Sequence, residues 1–381
     1  METSTSQRHA DRMTPRESVY LNFLRALSSL AVVIDHAPPL FDMPEAPRWG
    51  HQAVMVFFVL SGYVISYVAE TRETTARAFI TARLARLWSV LFPAVLLTIV
   101  CDAVGREFGH NPAAYALAPV DHPLIRLSAM LGFLSETWVS IQPFSNGVVW
   151  SLCAEFWYYA LFAACFFTPP GRVRAAAVGV AVLLSGHKAL LLLPIWLMGA
   201  ALQRSHALRR LGLGASAVLY VVSSVVIGWV LATHAYDPAI SLMSRFASPW
   251  VMTQLAQARV FWFDWFFGLA VAAHILGARA LADRLPLERV AAPIRWCAGA
   301  SFAAYLFHAP LLHLCAAFLP ANEGWLAVAL TLAVIAVIGP PVERSKLWWR
   351  REINRVPALL RPASAVAGAG RRRAPMPGAP G

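Results

Sequence analysis

Charge is scarce in this sequence. Asp, Glu, Lys and Arg make up 14% of its 381 residues, against about 25% in an ordinary soluble domain. So little charge cannot clothe a water-facing surface, and a mean hydropathy of +0.57 places most of the chain in lipid. Acidic groups are rarer still, 20 against 32 Lys and Arg. The surplus of +12 falls mainly in short loops between apolar runs and in the C-terminal tail. Membrane topology accounts for it there, so no nucleic-acid partner is expected. Cysteine is limited to Cys101, Cys153, Cys165, Cys297 and Cys315. This odd, scattered set shows no metal-ligand spacing and no disulfide framework, and reads as small buried hydrophobes; no metal and no bound cofactor is expected. The opening "METSTSQRHADRMTPRES" has no apolar signal core. No internal repeat is visible, which argues against a transporter built from inverted repeats.

What the chain has instead is apolar runs of roughly 17–22 residues, the length that crosses about 30 Å of hydrocarbon as helix. Lipid leaves backbone groups no partner but each other, so such runs span as helices. The expected fold is all-α: a polytopic transmembrane bundle of about ten spans near 20–37, 53–69, 87–104, 150–168, 175–187, 189–203, 212–232, 260–278, 297–319 and 323–340. The fifth and sixth are short. The stretch 124–140 is apolar enough to dip into the membrane but is interrupted by Arg126 and Glu136. The 14 tryptophans suit interfacial belts. Residues 1–19 form an N-terminal segment, 20–345 the membrane domain, and 346–381 a disordered basic tail, in which Arg371–Arg373 offers a contact for anionic lipid. Arg and Lys crowd alternate loops, including Arg72, Arg77, Arg172, Arg174, Arg279 and Arg344. By the positive-inside rule both termini are then cytoplasmic, in a bacterial-type inner membrane.

Polar residues inside these spans carry the functional signal. In the first span, Arg25 and His36 are eleven residues apart. A helix rises about 16 Å over that distance and turns three times plus about 20°, so both share a face. Either they line a polar cavity, or Arg25 snorkels to one interface while His36 sits at the other. Asp35 points about 100° away and is read as hydrated. Ser61-Gly62 reads as a small patch for close helix packing. Arg83 and Arg86, spaced i, i+3, either clamp a phosphate or only mark the cytoplasmic loop. Ser151, Glu155 and Tyr158 or Tyr159 share a face of the fourth span, with Glu155 at the depth of His36. Ser301, Tyr305 and His308 share a face of the ninth, where His308 either joins the site or bonds a backbone carbonyl.

Taken in order, these elements resemble the membrane-bound acyltransferase-3 family. The motifs are Arg25 with His36, "FFVLSG" from Phe57 to Gly62, Arg83 with Arg86, the Trp150-Ser151-Leu152-Glu155-Tyr159 set, the Ser301-Tyr305-His308-Pro310 set, and Glu343-Arg344. The likeness runs from about residue 20 to 345. One departure is the missing second acidic residue after Glu155. The resemblance implies an O-acyltransferase using acyl-CoA, usually acetyl-CoA, as co-substrate and a hydroxyl of a carbohydrate or surface glycan as acceptor. On that reading His36 is the general base, Glu155 orients it, and Arg25, Arg83 and Arg86 hold the donor. Ser151, Tyr159, Ser301, Tyr305 and His308 support them. The other readings are a proton-coupled transporter relaying through His36, Glu155 and His308, and a haem protein with His ligands.

Overall fold

The computed structural model describes residues 13–205, 208 and 211–359, with side chains as far as 355. Fourteen α-helices make up this part: α1 Pro15–Asp35, α2 Gly50–Thr71, α3 Ala76–Phe108, α4 Pro123–Leu131, α5 Val149–Phe167, α6 Arg172–Arg204, α7 Leu213–Ala232, α8 Tyr236–Met243, α9 Pro249–Leu255, α10 Phe261–Ala282, α11 Ala291–Gly299, α12 Ser301–Phe318, α13 Gly324–Arg344 and α14 Lys346–Leu359. Among the described residues there is no β-strand, only one isolated bridge between Glu136 and Ser140. Among the described residues, nine helical stretches are long and apolar enough to cross a membrane. The protein is a multi-pass membrane protein.

The tenth span is hidden in α6. Its 33 residues contain one non-helical position, Gly186, at φ 75° and ψ 167°. Arg174, near its start, donates to the carbonyl of Thr168, 2.6 Å away. Arg204, at its end, lies over the ring of Phe166 at 4.9 Å. Both ends therefore return to the same end of α5, and the chain doubles back at Gly186. A side chain there would meet the backbone of Thr137 at 2.4 Å, and its φ is one that glycine adopts freely. The two short runs read near 175–187 and 189–203 are these two arms.

Local chemistry sets the other boundaries. Helix α1 starts at Pro15, earlier than the apolar run suggests, because Thr14 and Glu17 form a capping box. The ninth span divides at Ala300 into α11 and α12. The stretch 124–140 does not dip into the bundle as one piece. It is the short α4 followed by a loop, tied down by Arg126, which donates to Asp121 Oδ1 at 2.6 Å and to the carbonyl of Gln142 at 2.8 Å. The Arg126 guanidinium also holds the Asp121 carboxyl below the ordinary aspartate range. The tail is not disordered throughout: residues 346–359 form α14, whose Trp349 stacks on Phe92 of α3 at 4.9 Å. Arg371–Arg373 lie outside the described residues.

Helix α2 is the centre of the bundle. It crosses the second arm of α6 so closely that a Cβ on Gly62 would lie 1.9 Å from the Trp196 carbonyl, and one on Gly199 2.0 Å from the Val59 carbonyl. Reciprocal glycines let the two backbones touch, the usual device of helix pairs in lipid. Asp35 is not simply hydrated; its carboxylate lies against Gly50, at the N-terminus of α2, where helix-end N–H groups favour an anion.

Candidate functional site

Two chambers open in the bundle, on either side of a wall that includes Tyr305. The first, the arginine chamber, has a volume of about 60 Å³ and is lined by Arg25, Ser61, Arg86, Glu155, Tyr159 and Tyr305, among others. It continues through Arg25, Arg86, Ser301 and Phe302 into a vestibule of about 160 Å³ that adds Arg295, Glu343 and Lys346. Four cations thus meet one carboxylate in the vestibule, at the end where α1 begins and α13 ends. The second, the histidine chamber, is larger, about 400 Å³, and is lined by His36, Glu136, Gln142, Trp150, Gln257 and His313, among others.

The wall is a chain of hydrogen bonds. Ser151 Oγ donates to Tyr305 Oη at 2.6 Å, and Tyr305 Oη donates to the carbonyl of Val148 at 3.1 Å. Tyr305 lines the arginine chamber and Val148 the histidine chamber. Behind Tyr305 stands His308, fully buried, its ring centroid 6.1 Å from that of the tyrosine and 4.8 Å from that of His36. The first residues of α12 are anchored by Glu343, whose Oε1 accepts the N–H groups of Phe302 and Ala303, each at 3.0 Å. This interhelical cap satisfies orphan donors at the helix start and gives the Glu343-Arg344 motif a physical task.

Both imidazoles are fixed in tautomer. His36 Nδ1 lies 2.8 Å from the Val32 carbonyl and His308 Nδ1 2.9 Å from that of Ala304. A carbonyl only accepts, so each Nδ1 carries the proton and each Nε2, in the neutral ring, keeps its lone pair. His36 is partly exposed to its chamber. His308 Nε2 is buried and has no hydrogen-bond partner among the described residues.

Three expectations change. Glu155 does not orient His36: its Oε1 accepts from Ser61 Oγ at 2.6 Å and from Tyr159 Oη, and it lines the other chamber. Nor do the two share a depth: Asp35, beside His36, lies against Gly50 at the start of α2, whereas Glu155 bonds Ser61, eleven residues or about 16 Å further along that helix, on the side of Arg25. For the same reason Arg25, His36 and Glu155 do not line one continuous cavity. Arg83 is not on a chamber wall. It is buried and paired with Glu73, its Nη2 2.8 and 2.9 Å from the two carboxylate oxygens, while its guanidinium lies over Tyr159 at 5.8 Å. Arg86 faces the chamber instead, and neither it nor Arg25 makes an ion pair among the described residues.

Ser61 is more than packing: besides donating to Glu155, it accepts from Trp196 Nε1 at 3.2 Å. Arg295 and Lys346 were not singled out, and nothing in loop composition separates them from other basic loop residues. Asp102 was also missed. Its buried carboxylate takes the N–H of Ser145 at 3.1 Å and the Ser145 hydroxyl at 2.5 Å, while Asn146 donates to the Leu306 carbonyl at 2.9 Å. Together they fix the turn from which α5 starts.

The spans of this bundle thus enclose a cationic chamber and an imidazole chamber back to back. The sequence pattern of the acyltransferase domain matches residues 18–341, most of the chain. The protein belongs to the acyltransferase-3 family and is a membrane acyltransferase. Neither a curated protein nor a solved structure matches it.

Proposed function

We propose that this protein moves an acyl group, acetyl by family resemblance, from acyl-CoA to a hydroxyl of a carbohydrate or cell-surface glycan. The observation that carries the reading is the division of labour along α1. Arg25 and Arg86 face one chamber, and His36 faces a roomier chamber lined by amides, a carboxylate and an indole.

The coenzyme A phosphates suit the vestibule of Arg25, Arg86, Arg295 and Lys346, since guanidinium forks bind phosphate oxygens in pairs. Pantetheine, an extended arm on the order of 15–20 Å, matches the rise of about 16 Å between Arg25 and His36. The acceptor enters the histidine chamber. His36 Nε2 takes the hydroxyl proton as the oxygen attacks the thioester carbonyl. The new C–O bond forms, the C–S bond breaks, and the proton passes from His36 to the departing thiolate. Tyr305 must shift for the thioester to reach His36, and that shift breaks its hydrogen bonds with Ser151 and Val148.

The positive-inside bias of the loops supports a cytoplasmic Arg25 side, where acyl-CoA is made, with the His36 side toward the outside of a bacterial-type inner membrane. The test is transfer of label from acetyl-CoA, in membranes holding the wild type or His36→Ala, to glycan analysed by mass spectrometry. Labelled ester in the wild type alone supports the proposal. An unmodified glycan carried across the membrane would make the protein a transporter.

A further inference from the structure

The histidine chamber carries a charged pair that base catalysis does not use. Lys188 is only 6% exposed, and its Nζ donates to Glu136 Oε2 at 2.7 Å and to Ser140 Oγ at 2.5 Å. Ser140 Oγ also donates to Glu136 Oε2, at 3.0 Å. All the bonds to this carboxylate fall on one oxygen. Glu136 Oε1 has no partner among the described residues, and Glu136 lines the chamber.

The fold goes to unusual lengths to put the pair there. Lys188 follows the chain reversal at Gly186. The reversal is braced by Trp138 Nε1, which donates to the Leu183 carbonyl at 2.7 Å, and by His187 Nε2, which donates to the Gln254 carbonyl at 2.9 Å. Across from it, Ala256 sits at φ 47° and ψ −113°, a strained conformation for a residue with a Cβ, and it is followed by Gln257 on the chamber wall. Burying an ion pair costs desolvation that its attraction hardly repays. Strain and buried charge converge on one wall, and the wall faces the chamber.

We propose that Glu136, held in place by Lys188, is an acceptor-recognition residue, and that its free Oε1 accepts hydrogen bonds from neighbouring hydroxyls of a polyhydroxylated ligand. The chemistry selects that class. Lys188 already balances the carboxylate, so the site has no net charge to attract a cation, and the oxygen it offers repels an anion. Gln142 and Gln257 add amide donors and acceptors, and Trp150 adds a ring face for the C–H side of a sugar. This inference rests on the histidine chamber being the acceptor side of the acyl-transfer reaction.

The experiment is saturation-transfer NMR on the full chain in lipid nanodiscs, with methyl glucoside as probe and n-butanol as the hydroxyl-poor control. Glu136→Gln alone strands a buried ammonium and is expected to fold poorly. The double variant Glu136→Gln with Lys188→Met removes both charges and keeps the volume, and its fold is checked by a monodisperse profile and a cooperative melt. The wild type should bind the glycoside in preference to butanol, and the folded double variant should bind it about tenfold more weakly or worse. A folded double variant that binds it as the wild type does, or a wild type that binds no glycoside, overturns the assignment. A wild type that binds the glycoside through Glu136 but forms no acetyl ester from acetyl-CoA would instead sink the acyl-transfer reading and leave Glu136 as a sugar-binding residue rather than an acceptor-recognition one.

Discussion

The rings of His36 and His308 meet edge to face, with centroids 4.8 Å apart. Both donate Nδ1–H to the carbonyl four residues back, yet only His36 opens to a chamber. The geometry gives them different work. His36 can exchange a proton with a bound hydroxyl, while His308 stacks behind it and limits its rotation. His36→Ala should lower acyl transfer by about 10²–10⁴-fold, the usual worth of a positioned base, with no loss of folded protein. His308→Ala should act on stability, by about 2–4 kcal/mol, because it empties a fully buried site. Transfer rates and thermal melts on both variants check this. Near wild-type transfer by His36→Ala would remove it as the base.

The two arginines of the "ARLARLW" segment should separate cleanly. Arg86 faces the chamber without an ion pair among the described residues, so Arg86→Ala should raise the KM for acyl-CoA, by about tenfold or more for each lost charge-assisted contact. Arg83 is locked to Glu73, and Arg83→Ala leaves that carboxylate buried and unpaired, a loss of about 3–5 kcal/mol in stability. Arg83→Met with Glu73→Gln removes both charges and should recover most of the fold. Donor KM values that rise equally in a folded Arg83 variant and in Arg86→Ala would restore the paired clamp.

How far the sequence reveals this site depends on what kind of relation is asked of it. Helix periodicity placed Arg25 and His36 on one face and Ser301, Tyr305 and His308 on another, because facing within a helix follows from 3.6 residues per turn. It also read the two arms of α6 from their apolar runs. Relations between helices were not legible. Equal depth was read from distances to the ends of apolar runs, but the offset between helices is set by packing: Glu155 stands beside Ser61 on the side of Arg25, and Tyr305 stands between its chamber and that of His36. Glu73 lies ten residues before Arg83, on the far side of a turn, so periodicity could not pair them. Glu136 and Lys188 are 52 positions apart, and only the reversal at Gly186 brings them together. The helix in 346–359 was masked by its polarity: "KLWWRREINRVPAL" carries too many charged residues to stand out as an apolar run and looks like tail when read for composition.

The crossing of α2 with α6 should be the least tolerant place in the fold. Gly62→Ala puts a methyl 1.9 Å from the Trp196 carbonyl, and Gly199→Ala one 2.0 Å from the Val59 carbonyl. These neighbours are backbone and cannot swing aside, so the helices must part. Parting them pulls Trp196 away from Ser61 and Ser61 away from Glu155. Each substitution should lower the yield of folded protein and cut transfer in what remains, whereas Gly179→Ala, with open space around it, should do neither. Fluorescence size-exclusion profiles of the three variants decide it; a normal profile for Gly62→Ala would show the crossing to be looser than its backbone distances.

Glu155 belongs electrostatically to the arginines. Arg25, Arg86 and Glu155 line one narrow chamber, so a carboxylate stands beside two guanidiniums. With no donor bound, Glu155 is what offsets two like charges in a narrow chamber, with Ser61 and Tyr159 holding it in position. Glu155→Gln keeps the shape and removes the charge. The empty protein should then lose about 1–3 kcal/mol, since the guanidiniums repel without compensation. A polyanion that binds between them restores the balance, so added coenzyme A should raise the melting temperature more in Glu155→Gln than in the wild type, by the linkage of binding to stability. Acceptor affinity should hardly move, because Glu155 does not line the histidine chamber. If Glu155 instead oriented His36, the variant would show an ordinary response to coenzyme A together with an altered pH profile of transfer. Melting curves with and without coenzyme A, set beside that pH profile, separate the two roles.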